Sequence, residues 1–166
     1  MKNLLIAACL VFLACPVFAQ GAESDATYKQ KIGAFLDEWH DDAAHSRMAY
    51  FDKMAPDGVY IGTDRTERWT RDEFKAWARP HFARPSAWAF KATSRNIRVS
   101  PDRNFIWFDE QLATQMGVCQ ASGVIRRMDR GFAIEHYQLS LAVPNELVDQ
   151  FTASIRKLEA GTSPGR

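Results

Sequence analysis

Hydrophobic residues recur at two spacings along this chain, and the change from one to the other divides it in two. Ile32, Phe35, Leu36, Trp39 and Ala43 fall on one face of a helix expected over residues 27–44. A shorter helix is expected over 46–54, with Met48, Phe51 and Met54 turned inward, and Pro56-Asp57-Gly58 supplies turn chemistry to end it. Val59-Tyr60-Ile61 then reads as a short strand. A third helix opens at Thr70. Glu73 completes a capping box there, because the Thr hydroxyl takes a free amide of the first turn while the Glu side chain returns to the cap's own amide. Phe74, Trp77, Ala78, His81 and Phe82 continue it at helical spacing, and Pro80, which lacks an amide, is expected to kink or end it.

Beyond Pro85 the period shortens to two. Strands are expected over 88–99, 105–116, 118–128 and 132–141. Ser100 to Asn104 is a turn, Gly117 marks a reversal, and Asp129-Arg130-Gly131 reads as a hairpin loop with Gly131 left-handed. A short helix after Pro144-Asn145 carries Leu147, Val148, Phe151, Ile155 and Leu158. Helices followed by an antiparallel meander are an α+β pattern. The expected architecture is a cone, with N-terminal helices on a curved, mainly antiparallel sheet and a pocket between the two layers.

The hairpin signals also predict a register. Closing the last hairpin on Gly131 sets Met128 opposite Phe132, Val124 opposite His136 and Ser122 opposite Gln138. Centring the preceding reversal on Gly117 sets Glu110 opposite Val124 and Phe108 opposite Arg126. Since side chains alternate between faces, one face then carries Phe108, Glu110 and Leu112 with Ser122, Val124 and Arg126, and with Phe132, Ile134, His136 and Gln138. The other carries Trp107, Asp109, Gln111, Ile125, Arg127, Glu135, Tyr137 and Leu139. The first face is mostly apolar with a few convergent polar groups, the usual make-up of a small-molecule site. Burial would raise the Glu110 pKa and a neighbouring Arg126 would lower it. The same Glu110–Arg126 pair also reads as a purely structural ion pair, and His136 as a satisfied core histidine. A one-residue slip would exchange the two faces.

Composition narrows the function classes. The 166 residues fit one domain, 46% are hydrophobic and 25% charged, and the formal net charge is +1. Neither bulk charge nor any basic run argues for nucleic acid. Lys2, the apolar run from Leu4 to Leu13, and Val17 and Ala19 have the form of an export signal cut after Ala19, too short to span a bilayer. Residues 20–26 then read as a flexible leader, 27–158 as the domain and 159–166 as a disordered tail; the protein would be periplasmic or secreted. Lipid attachment at Cys15 is the alternative. Removal of the signal leaves Cys119 alone, so no internal disulfide is available. Asp41, Asp42 and His45 read as a solvated helix end rather than metal ligands, Trp39, Trp77 and Trp88 as core residues, and no motif for a metal or cofactor is present.

The polar loop from Asp64 to Trp69, between strand and helix, reads first as a pocket mouth flanked by Tyr60 and Trp69. With Thr70 and Glu73 assigned to the capping box and Glu67 to an ion pair with Arg68, it reads as a structural corner, and the chemistry moves to the sheet. Four stretches (Phe51 to Tyr60, Tyr60 to Phe74, Phe105 to Leu112 and Ser122 to Asn145) together resemble the SnoaL-like branch of the nuclear transport factor 2-like superfamily. The resemblance implies an α+β cone with a deep apolar pocket, often dimeric through its sheet. The superfamily includes ketosteroid isomerase, scytalone dehydratase, polyketide cyclases and limonene epoxide hydrolase. One fold hosting such different reactions leaves three readings open. The first is an acid–base enzyme of isomerase, cyclase or hydratase type using Glu110, His136 and Arg126, with Tyr60, Trp69, Phe108, Leu112, Val124, Ile134 and Gln138 around the ligand. The second is a non-catalytic module for an apolar ligand. The third is an interaction protein that pairs through Trp107, Tyr137 and Leu139, as in a homodimer.

Overall fold

The computed structural model describes residues 23–162. The segment expected to be an export signal, most of the expected leader and the last residues of the expected tail lie outside them. The elements are α1 (Asp25–Ala44), α2 (Ala49–Asp52), β1 (Met54–Ile61), β2 (Arg68–Thr70), α3 (Arg71–Phe82), β3 (Lys91–Val99), β4 (Phe105–Thr114), β5 (Gly117–Arg127), β6 (Phe132–Leu141) and α4 (Val148–Thr162). Ser24 caps α1, its hydroxyl accepting from the Thr27 amide at 3.1 Å, so the helix and its cap include residues of the expected leader. At the other end α4 carries regular structure to Thr162, past the expected start of the tail.

One six-stranded sheet in the order β2-β1-β6-β5-β4-β3 forms the second layer. It is antiparallel except where β1 runs parallel to β6. Ile32, Leu36 and Trp39 of α1 are fully buried against its inner face. Trp39 pays for its polar edge by donating from Nε1 to the Tyr50 carbonyl at 3.0 Å, and its ring stacks on Tyr50 and meets Tyr137 edge-on. The capping box of α3 forms, with the Thr70 amide donating to Glu73 Oε2 at 2.8 Å and the Glu73 amide to Thr70 Oγ1 at 3.4 Å. Pro80 sits in the last turn of α3, and the helix ends at Phe82.

Two expectations about the second helix and first strand are corrected. The helix spans only Ala49–Asp52, with Tyr50 and Phe51 buried and Met48 exposed, and Met54 already belongs to β1. Pro56-Asp57-Gly58 does not end a helix. It forms the irregularity in β1 between the partners Met54↔Ile134 and Val59↔His136. A bulge needs no ladder amide there, so proline is tolerated. Gly58 lets the bulge press on β6, since a Cβ would lie 2.7 Å from the Ile134 carbonyl oxygen.

The register corrections matter most for function. Between β5 and β6 the pairs Val124↔His136 and Ser122↔Gln138 are as expected, but a bulge separates Val124 from Ile125, so Ile125 faces Ile134 and Arg127 faces Phe132. Between β4 and β5 the strands turn at Gln115-Met116, with Thr114 paired to Gly117. Glu110 therefore faces Ala121, and Phe108 faces Gly123. Relative to a reversal centred on Gly117 the partner has moved by three residues, an odd number, which exchanges the faces of β5. The buried face consists of Phe108, Glu110 and Leu112, then Cys119, Ala121 and Ile125, then Ile134, Tyr137 and Leu139. Ser122, Val124, Arg126, His136 and Gln138 stand on the opposite side, with Trp107.

Gly123 of β5 is crowded from both neighbouring strands, β4 and β6. A Cβ there would lie 2.6 Å from the His136 carbonyl oxygen and 2.7 Å from the Phe108 ring. Neither backbone nor packed ring can yield, so Gly123→Ala is expected to destabilise the fold by about 2 kcal/mol. Urea denaturation checks this, and an unchanged midpoint would contradict the close approach.

Candidate functional site

Three titratable side chains converge beneath α1. Glu110 projects from β4 into the core, and its side chain has no solvent exposure. Its Oε1 accepts from His40 Nε2 of α1 at 2.7 Å, and its Oε2 from Arg95 Nε of β3 at 2.8 Å. Arg95 also donates through Nη1 to the Gly33 carbonyl at 3.0 Å and to Asp37 Oδ1 at 2.8 Å. Burial pushes the Glu110 carboxyl up, but the hydrogen bond and positive field of His40, and then Arg95, outweigh it and hold the group below its ordinary value. The Arg95 guanidinium is raised in return: burial works against its charge, and Glu110 and Asp37 more than restore it.

The partners expected for Glu110 are therefore replaced. Arg126 forms an ion pair with Glu135 away from the core. His136 lies on the outer side of the sheet, beside Val59 and Val124. Asp42 is also corrected, being buried rather than solvated, with Arg47 Nε at 2.6 Å and Lys53 Nζ at 2.5 Å.

A separate cavity of about 190 Å³ opens between the loop after β1, α3, and the segment leading into β3. Its walls are mostly rings. Tyr60 stacks on Phe74 at 3.9 Å, Phe74 on Trp69 at 5.4 Å, Trp69 on Trp77 at 4.8 Å, and Trp77 meets His81 at 4.8 Å. Trp88 and Phe90 form the facing side, and Met116 and Leu139 close the sheet end. Helical spacing on α3 turns Phe74, Trp77 and His81 to one side, and the Tyr60↔Trp69 pairing of β1 with β2 sets those two rings abreast.

Polar groups in and behind this cavity are held neutral or left open. Burial pushes the Tyr60 phenol far above its ordinary range, although the Tyr50 hydroxyl opposes the rise. Tyr50 and Tyr137 are raised by burial as well. All three remain protonated donors near neutral pH. The Tyr137 hydroxyl is buried and completes no hydrogen bond among the described residues, while the Trp88 indole N–H is buried beside the Tyr50 hydroxyl. Tyr137 packs on Tyr60 at 5.3 Å and on His40 at 6.3 Å, so its ring links the cavity residue Tyr60 to the Glu110 network.

Of the residues expected around a ligand, Tyr60 and Trp69 line this cavity. Phe108, Leu112 and Ile134 are core residues, while Val124 and Gln138 lie on the opposite face of the sheet. Trp77, Trp88, His81 and Glu67, which line the cavity, were not expected there. The available signal was the α3 spacing, which puts Trp77 and His81 on one face with Phe74 of the β1–α3 corner. Glu67 makes no ion pair with Arg68 among the described residues. Its Oε2 accepts from the Asp64 amide at 3.1 Å.

Residues 32–144 match the model of the SnoaL-like domain family. The chain belongs to that family. No curated protein matches it. Among solved structures, a nuclear transport factor 2-like protein of unknown function from Pseudomonas putida is 10% identical with a TM-score of 0.61, covering 75% of this chain and 93% of that one. A protein described as a candidate aromatic ring hydroxylase from Novosphingobium aromaticivorans is 12% identical at a TM-score of 0.60, with 74% and 94% covered. One described as a candidate ketosteroid isomerase from Parabacteroides distasonis is 16% identical at 0.56, with 68% and 86% covered. At these identities the likeness is one of fold, and it matches the α+β cone seen here.

Replacing the central carboxylate by an amide removes the charge that offsets buried Arg95 and one of the two acceptor oxygens that serve His40 and Arg95. Glu110→Gln is expected to cost about 3–5 kcal/mol in urea denaturation. The Glu110 carboxyl lies below its unfolded value of 4.5. Its stabilising contribution is therefore complete above that value and is lost as pH falls through the lower, folded one. The variant should show a flatter acid limb of stability against pH, and equal acid limbs would contradict the network.

Proposed function

We propose that this protein is an exported binding module for a small, largely apolar molecule, seated in the aromatic cavity between Tyr60, Trp69, Trp77 and Trp88. One observation carries the reading: a cavity of about 190 Å³ walled by the rings of Tyr60, Trp69, Phe74, Trp77 and Trp88, with the titratable Glu67 and His81 among them. The Glu110 network supports binding over catalysis at that residue, because both carboxylate oxygens are occupied and the side chain is closed to solvent. We assign Glu110, His40 and Arg95 a structural role, Arg126 and His136 none in ligand binding, and the exposed Trp107 side of the sheet to a homodimer contact.

A second reading is isomerase-type acid–base chemistry. It is favoured by the presence of the Glu67 carboxylate, the His81 imidazole and the protonated Tyr60 phenol around one cavity. The neighbours described as a ketosteroid isomerase and a ring hydroxylase candidate point to flat, apolar substrates for either reading.

Ala87 lines the cavity, and its amide donates to the Ala43 carbonyl at 3.2 Å whatever its side chain. Ala87→Phe should fill the cavity and leave the fold intact. A ligand-observed NMR screen of aromatic fragments is expected to return hits that bind the wild type and are lost in Ala87→Phe, with circular dichroism unchanged. Conversion of a hit into product would decide for the second reading. No hits, or hits that bind the variant equally, would overturn the cavity as the site.

A further inference from the structure

The cavity's charge pattern points to the kind of ligand it takes. Its walls carry one carboxylate, Glu67, and no lysine or arginine. Glu67 is half-buried on a loop that also bears Arg65 and Arg68, yet no cation lies within ion-pair distance of it among the described residues. Arg65 turns away and pairs with Glu159 at 2.7 Å. The carboxylate is also held in place. Its Oε2 accepts from the Asp64 amide, and it lies so close over the chain that a Cβ on Gly62 would be 2.2 Å from that oxygen. A half-buried carboxylate without a counter-ion is costly, and it shares the cavity wall with the rings of Tyr60, Trp69, Phe74, Trp77 and Trp88, whose faces carry negative electrostatic potential. Both features repel anions and attract cations.

We propose that the cavity binds an organic cation, a quaternary ammonium or protonated amine on an apolar body, with its charge between the Glu67 carboxylate and the tryptophan faces. The cation supplies the missing counter-ion, and its alkyl groups lie on the rings as in aromatic recognition of ammonium groups. A neutral flat ligand would fill the same walls and leave Glu67 unmatched. This inference rests on the ligand-pocket reading above and deepens it.

Three probes of one shape separate the possibilities: choline, the alcohol in which carbon replaces its nitrogen, and tert-butylacetate. Tryptophan fluorescence titrations at about pH 8, where ordinary imidazoles are uncharged, are expected to show choline bound about tenfold more tightly than the neutral alcohol, with tert-butylacetate weakest. Glu67→Gln keeps an acceptor for the Asp64 amide and should lower the choline-to-alcohol ratio severalfold, leaving the part that the rings supply. Trp77→Ala, at a side chain already 43% exposed and so tolerant of removal, should weaken choline more than the alcohol. Equal binding of choline and alcohol, or a ratio unmoved in Glu67→Gln, overturns the cation while leaving the cavity as a site. If aromatic fragments bind the cavity and choline does not, the cation is again overturned. If neither fragments nor probes bind, the ligand-pocket reading fails with it.

Discussion

The carboxylate of Glu110 is the point on which the two layers of this fold meet. It rises from the middle of β4 and takes one hydrogen bond from α1 through His40 and one from β3 through Arg95. Arg95 continues the tie to the backbone of α1 at Gly33 and to Asp37. A charge buried this fully is tolerable only when it is paired and hydrogen-bonded. The same completeness removes it from chemistry, for no lone pair facing a ligand remains free of a partner. The helix is fixed in angle and register on the sheet, and the mouth of the cone is left to other residues.

At that mouth the packing is aromatic. The rings from β1, β2 and α3 stack in sequence from Tyr60 through Phe74 to Trp69 and Trp77, and Trp88 stands opposite. Rings packed this way form walls with few rotamers to freeze on binding. The capping box at Thr70 fixes where α3 begins, and with it where Trp77 and His81 point. Tyr137 joins the two regions, its ring touching Tyr60 on the cavity side and His40 on the network side. Structural rigidity and ligand access are thus divided between two ends of one core.

Much of this was legible in the chain, and the losses have physical causes. The α1 stripe, the capping box, the antiparallel meander and the resemblance over Phe51 to Asn145 lead to the fold observed, and the strong periodicity of α1 and β4 explains why. The pocket face was misread on one turn. A reversal placed at Gly117 rather than at Gln115-Met116 shifts the β5 partners by an odd number, so Val124 was set opposite Glu110, with Arg126 on the same face, when Ala121 faces it. Glycine marked the end of that turn, with φ at 95°, not its centre. The partners of Glu110 were hidden for another reason: His40 lies on a helix and Arg95 on a different strand, and long-range pairing of this kind leaves no spacing signal. Conversely, the loop from Asp64 to Trp69 was set aside once its polarity was explained by caps, although a capped corner can also line a cavity.

Five indole groups report on every region in question: Trp39 beside the network, Trp69, Trp77 and Trp88 around the cavity, and Trp107 on the outer face. The most direct measurement follows the indole N–H resonances in a nitrogen–proton correlation spectrum while the tightest-binding fragment is added. Trp69, Trp77 and Trp88 are expected to shift together, with Trp39 and Trp107 still. Movement of Trp39 or Trp107 with the other three unchanged would place the ligand at the Glu110 network or on the outer sheet, and would contradict a binding site divided from the structural charge.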